Sequence, residues 1–143
     1  MSPPPVQPIG LLIARTAKEL NRAFEQALGE AGGSLPVWLI LLSLKRGPGS
    51  TQRELAASVG IREATLTHHL SGMERTGLIT RRRDPANRRV HQVALTDDGE
   101  AAFRRLRTAA AGFDRRLRTG IPGDRLDELR EVLRRLSDNA VRS

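Results

Sequence analysis

The sequence predicts a mainly α fold of the α+β type, with helices at both chain ends flanking a central helix-turn-helix and a short two-stranded hairpin. Three observations carry this. Apolar residues recur at helical spacing through both ends of the chain. TQRELAASVGIREATLTHHLSGMERTG reads as a capped helix, a glycine turn and a second helix. The stretch that follows holds two short strand-like runs around Asp84-Pro85-Ala86-Asn87, the residues of a tight turn.

The elements follow in order. Ile9, Leu12, Ile13, Ala17, Leu20, Phe24, Ala27 and Leu28 recur at three and four, which predicts an amphipathic helix that Gly32 and Gly33 end. Ser34 caps the next helix, with Pro36 tolerated in its first turn and Gly47, Pro48 and Gly49 stopping it. This helix is apolar nearly all round and belongs at the centre of the fold. Thr51-Gln52-Arg53-Glu54 is a Thr-x-x-Glu capping box, in which hydroxyl and carboxylate satisfy each other's end of the first turn. The short helix it opens runs through Val59, Gly60 turns the chain, and the next helix spans about Arg62 to Thr76 before Gly77. Strands over Leu78–Arg82 and Val90–Leu95 come next. Thr96 then caps a long helix whose first turn carries Asp97, Asp98 and Glu100 against the positive end of the helix dipole. Its stripe is Ala102, Phe103, Leu106, Ala110, Phe113 and Leu117. A last helix begins near Asp124, with Leu126, Leu129, Val132, Leu133, Leu136 and Ala140 on one side. Terminal helices with apolar stripes need cover, and in a chain of 143 residues a second copy supplies it, so a homodimer is expected.

Charge localises the function. From Lys45 to His91 there are ten basic residues against four acidic ones, a net of +6 out of +8 for the whole chain. A local excess of this kind suits a polyanion-binding surface. Five of those cations, Arg81, Arg82, Arg83, Arg88 and Arg89, crowd the hairpin. On the helix over Arg62–Thr76, Leu66, His69, Leu70 and Met73 share one face. The opposite face carries Glu63, Ala64, Thr67, His68, Ser71 and Arg75, with Thr65 beside them. It is polar and nearly free of bulk, as suits a helix lying in a major groove. Thr67, His68 and Ser71 are candidates to donate to base edges or phosphates, and Arg53, Arg62 and Arg75 to hold the DNA backbone. An ordinary solvated face is the bland alternative.

The run from TQRELAASVGI through LSGMERTGLITRRRDPANRRVHQVALTDDGE resembles the winged helix-turn-helix of the multiple-antibiotic-resistance regulator (MarR) family. The landmarks are Glu54-Leu55-Ala56, the exit Met73-Glu74-Arg75-Thr76-Gly77-Leu78-Ile79, Arg81 to Arg83, Arg89, and Leu95-Thr96 with Gly99. The resemblance implies a homodimeric, cytoplasmic DNA-binding transcriptional regulator, usually a repressor released by a small molecule. It divides the chain into a flexible arm over residues 1–8, helical dimerisation regions over 9–33 and 97–143, and the winged region over 34–96. It assigns Arg82, Arg83, Asn87, Arg88 and Arg89 to the wing's contact with double-stranded DNA, Arg89 entering the minor groove. The family commonly has an Asp where this sequence has Asn87, which can hydrogen-bond a guanidinium but not neutralise it. At Arg62 the family favours a hydroxyl N-cap, and at His69 an aliphatic residue.

Family members that sense aromatic carboxylates bind them between the winged domain and the dimer helices. By that resemblance Arg15, Trp38 and His69 are candidate ligand residues, against the alternatives of a solvated arginine, a core tryptophan and a core imidazole bonded to a backbone carbonyl. No metal, cofactor or enzymatic chemistry is expected: the three histidines are badly spaced, there are no cysteines, and no nucleophile stands with a base. The proline-rich start lacks the charged and apolar regions of a signal peptide, and no apolar run is long enough to span a membrane, so no membrane partner is expected. The competing class is a winged-helix module for protein assembly or for non-specific DNA packaging.

Overall fold

The computed structural model describes residues 2–3, 5–47, 50–87 and 91–142. In order along the chain these form α1 (Ile9–Glu30), α2 (Leu35–Arg46), α3 (Gln52–Val59), α4 (Glu63–Arg75), β1 (Ile79–Arg83), β2 (His91–Leu95), α5 (Asp97–Arg118) and α6 (Gly123–Val141). Each expected element is present, with ends displaced by one or two residues. The strand expected from Leu78 begins at Ile79, because the Leu78 amide still closes the end of α4 by donating to the Met73 carbonyl at 2.9 Å. Pro48, Gly49 and Val90, assigned above to a helix stop and a strand start, lie outside the described residues, as do Arg88 and Arg89.

Local chemistry accounts for the boundaries. The Ser34 hydroxyl accepts from the Val37 amide at 3.3 Å, capping α2. At α3 both halves of the capping box form: Thr51 Oγ1 accepts from the Glu54 amide at 3.1 Å, and Glu54 Oε1 accepts from the Thr51 amide at 3.4 Å. Gly60 and Gly77 end α3 and α4 at φ of 80° and 79°, left-handed conformations that other residues adopt only at a cost.

The chain divides into two units, residues 1–110 and 111–143. In the first, Leu28, Ile40, Leu41, Leu44, Leu55, Leu66, Leu70, Ile79, Val93 and Leu106 are essentially without solvent contact. Trp38 lies among them, stacked on Phe103 with ring centroids 5.6 Å apart. The core therefore crosses the sequence boundaries drawn at 33/34 and 96/97: Leu28 of α1 and Ala102, Phe103 and Leu106 of α5 belong to the same cluster as the helix-turn-helix. In the second unit α6 buries none of its residues, and Leu129, Val132 and Leu133 are 49%, 54% and 41% exposed. No single helix among the described residues is long and apolar enough to cross a membrane.

Candidate nucleic-acid interface

Four devices build the hairpin and fix its root. β1 and β2 pair antiparallel from Ile79↔Leu95 to Arg83↔His91. Their tip is a turn in which the Asn87 amide donates to the Asp84 carbonyl at 3.2 Å and the Ala86 amide to Asp84 Oδ1 at 2.8 Å. On its other edge β2 meets a third segment: the Val93 amide donates to the Ser50 carbonyl at 3.1 Å, and Thr51 bridges Gln92. Thr51 thus serves both as the helix cap of α3 and as a ladder residue, the second role being invisible to a reading of capping signals alone. At the far end the Thr96 hydroxyl donates to the Gly77 carbonyl at 2.5 Å and accepts from the Gly99 amide at 3.0 Å. Gly99 passes so close to the Leu78 carbonyl that a Cβ there would collide with its oxygen.

The strand period of two then sorts the arginines. Ile79 and Val93 face the core, with Arg81 half-buried on the same side of β1. Arg81 Nη2 donates to Glu74 Oε1 at 3.0 Å and to Ser71 Oγ at 3.4 Å, tying the last turns of α4 to the hairpin. The Arg81 guanidinium holds the Glu74 carboxyl below the ordinary carboxylate range. Arg82, one residue on and paired with Gln92, points the other way into solvent, and Arg83 is also exposed. One hairpin arginine is thereby a structural strut, while Arg82 and Arg83 have no acidic partner among the described residues.

On α4, Leu66, Leu70 and Met73 are buried as expected. Glu63, Ala64, Thr65, Thr67, His68 and Arg75 are exposed, as are Arg53 on α3 and Arg62 at the N-cap. Arg62 makes no side-chain cap bond, since a guanidinium has no acceptor, and it is exposed to solvent or to an anion. Two of the residues expected to meet bases or phosphates also bond within the chain. Ser71 is half-buried and its hydroxyl receives Arg81, so it serves the wing's attachment. The Thr67 hydroxyl donates to the Glu63 carbonyl at 2.9 Å and receives Gln52 Nε2 at 3.3 Å. Gln52 was not singled out in the sequence; its only sequence signal is its place inside the capping box.

The three ligand candidates are not brought together. Trp38 is 8% exposed and lies in the core, stacked against Phe103. Arg15 is exposed on α1. His69 is half-buried and lines an open cleft of about 530 Å³ with Val37, Met73, Leu106, Arg75 and Arg105, but neither Arg15 nor Trp38 borders it. Among the described residues His69 makes no hydrogen bond to a backbone carbonyl; its ring lies edge-on to His68, centroids 5.8 Å apart. Among the described residues no three His, Cys, Asp or Glu side chains gather as metal ligands.

Comparison with known proteins fits this geometry. Residues 34–91 match the model of the MarR family. A Bacillus subtilis (strain 168) protein, the uncharacterized HTH-type transcriptional regulator YdgJ, is 29% identical over 122 residues, covering 85% of this chain and 73% of its own. Among solved structures, the transcriptional repressor CouR bound to a 23-mer DNA duplex superposes with a TM-score of 0.83 at 27% identity, over 91% of this chain and 92% of that one. The PcaV transcriptional regulator of Streptomyces coelicolor gives 0.76 at 26% identity over 89% and 96%, and a MarR-family regulator of Rhodococcus sp. RHA1 gives 0.78 at 25% over 90% and 91%. The matched segment holds α2, α3, α4 and β1 and ends at the first residue of β2, and in that segment and in its fold the chain is similar to the MarR family of winged helix-turn-helix transcriptional regulators.

Proposed function

We propose that the chain works as a homodimeric, sequence-specific repressor. Two copies place their α4 helices in successive major grooves of a pseudo-palindromic duplex, with half-sites about 10 bp apart and the wings over the flanking minor grooves. The observation that carries this reading is the exposed face of α4, small and polar, set in a chain segment whose cations Arg53, Arg62, Arg75, Arg82 and Arg83 have no acidic partner among the described residues. Arg88 and Arg89 join them by sequence. CouR, a repressor at 27% identity, is bound to a duplex in its structure, which supports the same role here. The exposed apolar residues of α1 (Ile9, Leu12, Leu20) and α6 (Leu129, Val132, Leu133) support a second copy as the partner that covers them.

Release by a small aromatic carboxylate is the regulatory half of the proposal. Its support is the His69 cleft, with an apolar floor from Val37, Met73 and Leu106 and cations at Arg75 and Arg105, since Arg75 also belongs to α4.

Selection of bound duplexes from genomic fragments, followed by gel shift against competitor DNA, tests all of this together. The expected outcome is an enriched two-fold sequence bound at least about a thousandfold tighter than competitor. Equal affinity for every duplex would leave a packaging protein, and no binding at low salt an assembly module. If benzoate and its hydroxylated relatives release no duplex up to millimolar concentration, the effector half fails while the DNA half stands.

A further inference from the structure

Resting on the reading of α4 as the helix that enters the major groove, we propose that Thr67 recognises the 5-methyl group of a thymine with its own methyl group, and not a base edge with its hydroxyl. A threonine hydroxyl has one proton to give. In this structure that proton goes back to the Glu63 carbonyl one turn earlier, at 2.9 Å. The same oxygen receives Gln52 Nε2 at 3.3 Å. Gln52 is the first residue of α3, held in place by the capping box around it, so this second tie comes from a fixed element. The major-groove acceptors, guanine O6 and N7, adenine N7 and thymine O4, all require a donor. Thr67 has none to offer unless it breaks the bond to Glu63, which exchanges one hydrogen bond for another.

With its proton given to Glu63 and one lone pair taken by Gln52, the hydroxyl keeps a single acceptor site, and the methyl group is the unengaged apolar part of a residue that is exposed on the outer face of α4. Ala64, three residues earlier and also exposed, adds a second methyl to that face. The thymine C5-methyl is the apolar group that the major groove presents to such a surface. Thr67 and Ala64 accordingly select for thymine by apolar contact, while polar readout is left to neighbours such as His68. Gln52 acts as a positioning residue that keeps the Thr67 oxygen turned away from the bases.

The test uses the full-length protein and a duplex enriched from a random pool. Each thymine of a half-site is replaced in turn by deoxyuridine, which removes the methyl and nothing else. The wild-type protein should lose about fourfold in affinity at one thymine per half-site, the equivalent of one buried methyl group. T67S, which keeps the hydroxyl, should bind the thymine duplex about fourfold more weakly and be indifferent to deoxyuridine at that position. T67V, which keeps the methyl shape, should retain both affinity and the deoxyuridine effect. The proposal is overturned if no deoxyuridine changes wild-type binding, or if T67V loses affinity while T67S does not. If no duplex is enriched in the first place, the DNA-reading role fails with it, and that failure is seen before any variant is made.

Discussion

The inner stripe of α4 and the stripe of α6 are written in the same code and meet opposite fates. Leu66, Leu70 and Met73 recur at four and three and are buried to within a few per cent. Leu129, Val132, Leu133 and Leu136 recur just as regularly, yet Leu129, Val132 and Leu133 remain between 41% and 54% exposed and no residue of α6 is buried. Periodicity states which face of a helix is apolar; it does not state whether the cover comes from the same chain. In the first unit the cover is intramolecular. In the second no residue of α6 is covered, and the proposed second copy is the candidate cover.

The largest effect that can break this comparison is a cavity. L70A, at a site without solvent contact, should lower the free energy of unfolding by about 2–5 kcal/mol in urea titrations. L133A should change it by less than about 0.5 kcal/mol in dilute protein. Its cost should grow with protein concentration if a second copy covers α6, because the lost contact then belongs to the dimer. An L133A cost as large as that of L70A and independent of concentration would mean that α6 is covered within one chain.

A smaller effect separates two glycines. Gly99 lies against the Leu78 carbonyl, and G99A must move backbone, at a cost of about 1–3 kcal/mol. Gly123, at the start of α6, has nothing within 4 Å of an added Cβ, and G123A should be neutral or slightly stabilising through the unfolded state. Thermal denaturation of the pair measures the contrast directly, and equal shifts would remove the close approach as the reason for glycine at 99.

These residues also mark how far the sequence could be read. Elements defined by local signals were all legible: the capping box, Ser34 and Thr96 as caps, the Asp84 turn, and the glycines that close α3 and α4. So was the difference between the two faces of α4, because a helix fixes its own periodicity. Contacts between distant segments were not. Nothing in the sequence says that Ser50 and Thr51 lie along β2, that Ser71 faces Arg81, or that Gln52 reaches Thr67, since each pairing depends on tertiary placement. Trp38 stayed open for a related reason: a lone flat side chain suits a ligand pocket and a core equally, and its stacking on Phe103, far along the chain, is a tertiary contact.

The finest distinction lies between two ion pairs. Arg130 and Asp127, three residues apart on α6, meet at 2.7 Å with both side chains more than 60% exposed. Arg81 and Glu74 meet at the longer distance of 3.0 Å, but Arg81 is only 19% exposed and its guanidinium is also engaged by Ser71. Distance alone ranks the α6 pair first; solvent screening and the entropy of two free side chains reverse the order. D127N should therefore leave stability unchanged. E74Q should cost a few tenths of a kcal/mol at neutral pH, a modest amount because Glu74 itself is 42% exposed. The sign of its pH dependence follows from the lowered carboxyl. A group that is more acidic when folded contributes its stability above the ordinary carboxylate value of 4.5 and loses it as the pH falls through the folded one. The stability gap between wild type and E74Q should accordingly hold from neutral pH down to about 4.5 and close below it. A gap that persists unchanged to the acid limit would mean that Glu74 acts by packing, and that Arg81 braces the hairpin through Ser71 alone.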